Sequence, residues 1–265
     1  MVLRAYGSNE PDVWIAATCT KVGFDTIQPM LPINKAIGST PLMQFISPKG
    51  VVFDMDGLLL DTERVYFESF RTALAAIGLP QDDNLFRRLV GTNLLLGHQL
   101  LTEGLSGRVT LEKFKTVWDD EITQRLVDCI PVKPGARAIA EYLRERDIPY
   151  IIATSTQTEK AHLHLERAGL GALFQDIVGG DQVAASKPAP DIYLHATARL
   201  GQDPTTCVAF EDSPNGVRAA HAAGLITVQV PDIVAPDSEL RALGHYIASD
   251  IIAGARKVGL MVNQE

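Results

Sequence analysis

The sequence predicts an α/β protein: a parallel sheet covered by helices on both faces, interrupted after its first strand by a helical insert. Two observations carry the prediction. From residue 51 onward, short apolar runs rich in β-branched residues alternate with segments of helical period, and strict alternation of that kind builds a parallel sheet with helices on both sides. From about Arg64 to Pro131, helical periods instead follow one another with no convincing strand between them, which sets a helical segment between the first and second strands.

Taken in order, residues 1–48 show no sustained period and contain "PMLPINKAIGSTP", so they read as an irregular extension. Met43 lies just ahead of the first clear strand, and a chain starting there would keep a complete domain. The strands are "VVF", "PYIIA", "DIVG", "CVAF" and "LITVQV". In the insert Tyr66, Phe70, Ala73 and Ile77 keep one helical face, ended by Gly78 and Pro80, and two or more further helices follow. Later, Thr156 with Glu159 reads as a capping box, with a stripe of Ala161, Leu165 and Ala168 and a stop at Gly169. Ser213 and Pro214 open another helix, Val217 and Ala220 face inward, and Gly224 closes it. The expected division is an extension at 1–48, a core at 49–64 and 132–265, and a helical insert at 65–131.

Composition narrows the partners. With 265 residues the chain can bury a sizeable core, and a net charge of -8 announces no basic face for nucleic acid. No apolar run approaches the ~20 residues of a membrane span. The N-terminus, with Glu10 and Asp12, does not read as a signal peptide. Cys19, Cys129 and Cys207 are far apart and form no CxxC pair, which suits a reducing compartment, with the cytoplasm as default. The oligomeric state is not expressed in the sequence.

The chemistry starts at "VVFDMDGLLLDTE", where an apolar strand runs into Asp54 and Asp56. A buried carboxylate costs several kcal/mol unless paired or bound to metal. Thr154 follows the strand "YIIA", and Glu211 with Asp212 follows "CVAF", so each strand delivers polar groups beyond its carboxyl end, where ligands of open parallel sheets bind. Asp54, Asp56 and Asp212 in one crevice, with Glu211 close by, would repel one another without a cation. Oxygen donors with no His or Cys select a hard ion, and Mg2+ with a substrate phosphate fits. That pairing suggests phosphoryl transfer. A carboxylate attacks phosphorus without first losing a proton, giving an aspartyl phosphate, while the aspartate two positions on moves protons. Lys187 in "AASKPAPDIY" supplies a cation, and Thr154 and Ser155 offer a hydroxyl and N–H groups to phosphoryl oxygens ahead of a helix N-terminus. Each signal alone has a plain structural reading, as a turn, cap or surface lysine. Their joint placement at strand ends makes the case.

"FDMDGLLLDTE", the strand ending in "ATS", "SKPAPDIY" and "FEDSPNGVRAA" resemble, in order and context, the four motifs of the haloacid dehalogenase-like superfamily, over about Lys49 to Val230. The chain is similar to the branch that includes phosphoglycolate phosphatase and β-phosphoglucomutase. The resemblance implies a Rossmann-like doubly wound core with an inserted α-helical cap. It implies Asp54 as nucleophile, Asp56 as acid and base, and Thr154 and Lys187 as phosphate holders. Its metal ligands would be Asp54, the backbone carbonyl of Asp56, and Asp212, with Glu211 reaching the ion directly or through water. The expected activity is Mg2+-dependent hydrolysis of a small phosphorylated metabolite, a sugar phosphate or a phosphoglycolate-like ester.

A sugar-phosphate mutase is the alternative, and a non-catalytic phosphate-binding protein the second. The mutase uses a histidine shortly after the first motif and an arginine early in the cap, as the resemblance implies, where this chain has Tyr66 and Leu94. A dehalogenase is disfavoured, because Asp56 is placed to protonate an alcohol leaving group. His162 and His164 read as surface residues, His98, His195 and His221 as helix-face residues, Trp14 and Trp118 as packing residues, and Arg87 with Arg88 as a solvated helix face or, as the alternative, a contact to a second anionic group of the substrate.

Overall fold

Val51, Val52 and Phe53 are all fully buried, and successive strand residues point to opposite faces, so this strand needs cover on both sides. The computed structural model describes residues 48–90, 92, 94–128 and 130–261. Strands β1 (Gly50–Phe53), β2 (Tyr150–Ala153), β3 (Ile177–Val178), β4 (Cys207–Glu211), β5 (Ile226–Gln229) and β6 (Tyr246–Ile247) form one sheet in the order β3-β2-β1-β4-β5-β6. Every pairing is parallel. All five expected runs are strands. The sixth escaped notice because it is two residues long, with Tyr246 exposed at the sheet edge.

Ten α-helices are described: α1 (Thr62–Ala76), α2 (Asp83–Leu89), α3 (Leu94–Leu105), α4 (Leu111–Asp128), α5 (Ala136–Glu145), α6 (Thr158–Arg167), α7 (Asp191–Arg199), α8 (Pro214–Ala222), α9 (Ser238–Arg241) and α10 (Ile251–Lys257). Val51 and Phe53 pack in one core layer with Ile139, Leu143, Leu165 and Ile251 from α5, α6 and α10. Val52 packs in the other with Ile192, Ala196 and Ala219 from α7 and α8. Each such aliphatic or aromatic side chain contributes about 1.5–3 kcal/mol on full burial. This is the doubly wound sheet the sequence predicts.

Between β1 and β2 lie α1 to α4, with an apolar cluster of their own around Phe70, Leu74, Phe86, Leu101 and Phe114. Trp118 packs edge-on to Phe70 at 5.3 Å. Helix α1 already starts at Thr62, inside the 49–64 segment assigned to the core, and ends before Gly78, whose φ of +73° suits glycine. Arg87 and Arg88 are exposed on α2.

Two local readings need correction. The Thr156–Glu159 capping box does not form: α6 starts at Thr158, whose N–H donates to Asp181 Oδ1 at 2.7 Å, and the Thr156 hydroxyl is engaged elsewhere. His164 is buried on α6 rather than on the surface, since it falls beside Ala161 and Leu165 on the face toward the sheet, while His162 is exposed. The Ser213 cap holds, accepting from the Gly216 N–H at 3.1 Å. The readings of residues 1–47, Met43 and Trp14 among them, lie outside the described residues, as does Cys129. The side chain of Leu94 is not described either. Among the described residues no helix is long and apolar enough to cross a membrane.

Candidate active site

Phe53 stands level with Ile152 of β2 and Phe210 of β4. The residues that leave those strands, Asp54, Thr154 and Glu211 with Asp212, therefore emerge side by side, where the strand order turns outward from β1. A cavity of 340 Å³ opens there, lined by Asp54, Asp56, Thr154, Ser155, Lys187 and Asp212 among others. Gly57 lets the chain turn past Asp212. Its φ is +84°, and a Cβ there would stand 2.3 Å from Asp212 Oδ2.

Lys187 crosses from the loop ahead of α7. Its ammonium donates to Asp54 Oδ1 at 2.5 Å, to Glu211 Oε1 at 2.6 Å and to the Ala153 carbonyl at 3.0 Å. Glu211 is fully buried behind the cavity rather than in its wall. Its Oε1 also accepts from Tyr193 at 2.7 Å, and its Oε2 from the N–H groups of Asp212 and Ser213 and from the Ser213 hydroxyl. Both oxygens are thus occupied, and Glu211 braces Lys187.

Asp56 is gripped by two hydroxyls: Thr62 donates to Oδ1 at 2.9 Å and Thr156 to Oδ2 at 2.7 Å. Thr154 accepts from the Thr156 N–H at 3.1 Å, a tight turn directly after β2. Thr62 and Tyr193 were not singled out in the sequence, although both lie inside the quoted motifs, and Thr156 was read only as a helix cap. Nothing in spacing tells which carboxylate a hydroxyl will meet. Glu63 was missed as well, and it lines this cavity and an adjoining one of 540 Å³ walled by Tyr66, Lys115, Trp118 and Lys160.

The charges do not balance. Burial works against ionised Glu211, but Lys187, Tyr193 and the backbone hold its pKa low. Burial likewise works against the Lys187 ammonium, and Asp54 with Glu211 outweighs it and raises the pKa. That leaves Asp54 and Asp212. Burial pushes both carboxyls well above their ordinary range, with Glu211 adding to each and only partial relief from Lys187. Asp54, Glu211 and Asp212 place oxygens within 4.8 Å of one another. Hard oxygen donors at Asp54 and Asp212, with Glu211 directly behind them, fit a divalent cation.

Residues 48–224 match the family model described as haloacid dehalogenase-like hydrolase. The chain is 38% identical over 177 residues to a phosphorylated carbohydrates phosphatase of Thermotoga maritima, covering 67% of this chain and 82% of that one. It is 36% identical over 190 residues to (DL)-glycerol-3-phosphatase 2 of Arabidopsis thaliana, covering 69% and 79%. Among solved structures, a HAD family hydrolase from Deinococcus radiodurans with bound phosphate and sodium superposes with a TM-score of 0.71 at 26% identity, covering 83% of this chain and 100% of that one. The parallel sheet, the acids beyond its strand ends and a family match running through most of both make this chain a member of the haloacid dehalogenase-like hydrolases.

Proposed function

We propose that this hydrolase is a Mg2+-dependent phosphatase of small phosphomonoesters, a sugar phosphate, a polyol phosphate or a phosphoglycolate-like metabolite, working through an aspartyl phosphate. One observation carries the reading: Lys187 ties Asp54 to the buried Glu211, so the Asp54 carboxylate in the cavity wall is held in place and partly compensated. Asp54 forms the bond to phosphorus as the ester P–O bond breaks, and Asp56 gives its proton to the departing alcohol oxygen. Water then attacks the aspartyl phosphate, Asp56 takes its proton, and the Asp54 carboxylate is released with inorganic phosphate. Thr62 and Thr156 hold Asp56 in line for both transfers, Lys187 offsets charge on the phosphoryl oxygens, and Thr154 and Ser155 border the space those oxygens would fill. Asp54, Asp212 and the Asp56 backbone carbonyl would hold Mg2+, with Glu211 one step behind, and the ion when bound neutralises phosphoryl charge.

The helices α1 to α4 are assigned the role of a cap over the leaving group. They supply Tyr66, Lys115 and Trp118 to the adjoining cavity, which shares Glu63 and Val90 with the acidic one. The names of the two relatives support carbohydrate and polyol phosphates as the class. Tyr66 stands where the resemblance leads to the mutase histidine, which favours hydrolysis over isomerisation. The test is a panel of phosphorylated metabolites with Mg2+, followed by phosphorus NMR. Free phosphate from at least one sugar or polyol phosphate, lost on chelation, is expected. Isomerised sugar phosphate outrunning free phosphate, or no release from any member, overturns the reading.

A further inference from the structure

β5 ends in a fully buried glutamine, Gln229, paired in the sheet with Glu211. A buried amide needs partners at both ends. Its Nε2 donates to the backbone carbonyl of Asp212 at 3.2 Å, and its Oε1 lies 2.9 Å from Nε2 of the half-buried His245, just ahead of β6. The orientations determine one another. A carbonyl only accepts, so the amide nitrogen faces Asp212. The oxygen at the other end only accepts too, so His245 carries its proton on Nε2. On its other side, the Asp212 N–H donates to Glu211 Oε2 at 3.1 Å. Both peptide groups flanking Asp212 are therefore held, one by the brace of Lys187 and the other by a relay from the sheet edge.

We propose that Gln229, oriented by His245, is a positioning residue for Asp212 that sets its loop for a divalent cation before the cation arrives. The inference rests on the reading of Asp212 as a cation ligand. A loop free to relax would carry the Asp212 carboxyl away from Asp54. Holding its carbonyl keeps the donor pair together, so that less of the binding energy of the ion goes into ordering the loop. Gln229 lines neither cavity, so it acts through Asp212 alone.

The test measures Mn2+ binding by electron paramagnetic resonance on the full chain without substrate, alongside Tm. Gln229→Met keeps the volume and removes the amide. Mn2+ affinity should fall about tenfold. His245→Leu should give a smaller loss, and His245→Gln, whose amide can donate to Gln229, should restore affinity. A Gln229→Met protein with lowered Tm and unchanged Mn2+ affinity shows a structural amide only and overturns the inference. If that variant does not fold, unchanged affinity in His245→Leu overturns it. A parent that binds no Mn2+, or whose binding survives Asp212→Asn, removes the cation reading and this inference with it.

Discussion

The Thr156 hydroxyl donates to Asp56, Oγ1 to Oδ2 at 2.7 Å, across 100 residues of sequence. Together with Thr62 on the other oxygen, it leaves the Asp56 carboxyl little freedom to turn. A proton carrier that serves two steps needs that restraint, because small misplacements of a reacting group cost large factors in rate.

Thr156→Val keeps the shape and removes the donor. We expect kcat to fall about ten- to a hundredfold with a much smaller change in KM. Steady-state kinetics on the best substrate decides this, and an unchanged kcat would show that Thr62 alone suffices.

Asp54→Asn should abolish turnover, by at least about a thousandfold, because the amide cannot attack phosphorus. The fold should survive, with Tm unchanged or higher, since burial disfavours the carboxylate that is removed. Phosphate release within about tenfold of the parent would refute Asp54 as the nucleophile.

Lys187→Met strands two buried carboxylates, Asp54 and Glu211, with no cation between them. Breaking a buried ion pair by deleting one partner costs about 3–5 kcal/mol, so a clear drop in Tm should accompany the loss of activity. Denaturant unfolding gives the figure, and a variant as stable as the parent would mean that Lys187 is not the brace described.

Glu63 has its carboxyl raised to about 7, first by burial, then by repulsion from Asp56 and Asp232, with Lys133 opposing. The folded chain therefore holds a proton that the unfolded chain releases near the ordinary value of 4.5. This contribution to stability is present below that value and fades as pH rises to about 7. Glu63→Gln should remove the slope, so that in chelated protein its Tm gains on the parent between about pH 5 and about pH 8. Melting curves that stay parallel across that range would contradict it.

The first strand was legible because its three apolar residues are buried on both faces, and burial on both faces writes a continuous apolar run. The same logic exposed the site. Polar residues directly after such runs, at Asp54, Thr154 and Asp212, must lie beyond the strand ends once the strands are parallel. The parallel sheet, the helical segment after β1 and the six residues gathered in the acidic cavity were all determined by sequence pattern.

What the pattern could not carry are contacts that depend on distance across the fold. A capping box at Thr156 is good local chemistry, yet the hydroxyl serves Asp56, 100 residues away in sequence, while its N–H turns back to Thr154. Glu211 reads as reaching a metal directly or through water, and only packing shows that its oxygens also hold Lys187, Tyr193 and backbone N–H groups. The relay from His245 through Gln229 to Asp212 joins a sheet edge to the cavity. Period and composition encode which side of an element is buried, since burial repeats along the chain. The partner of a buried polar atom is chosen by the nearest unsatisfied group in space, and that is decided only when the chain has closed on itself.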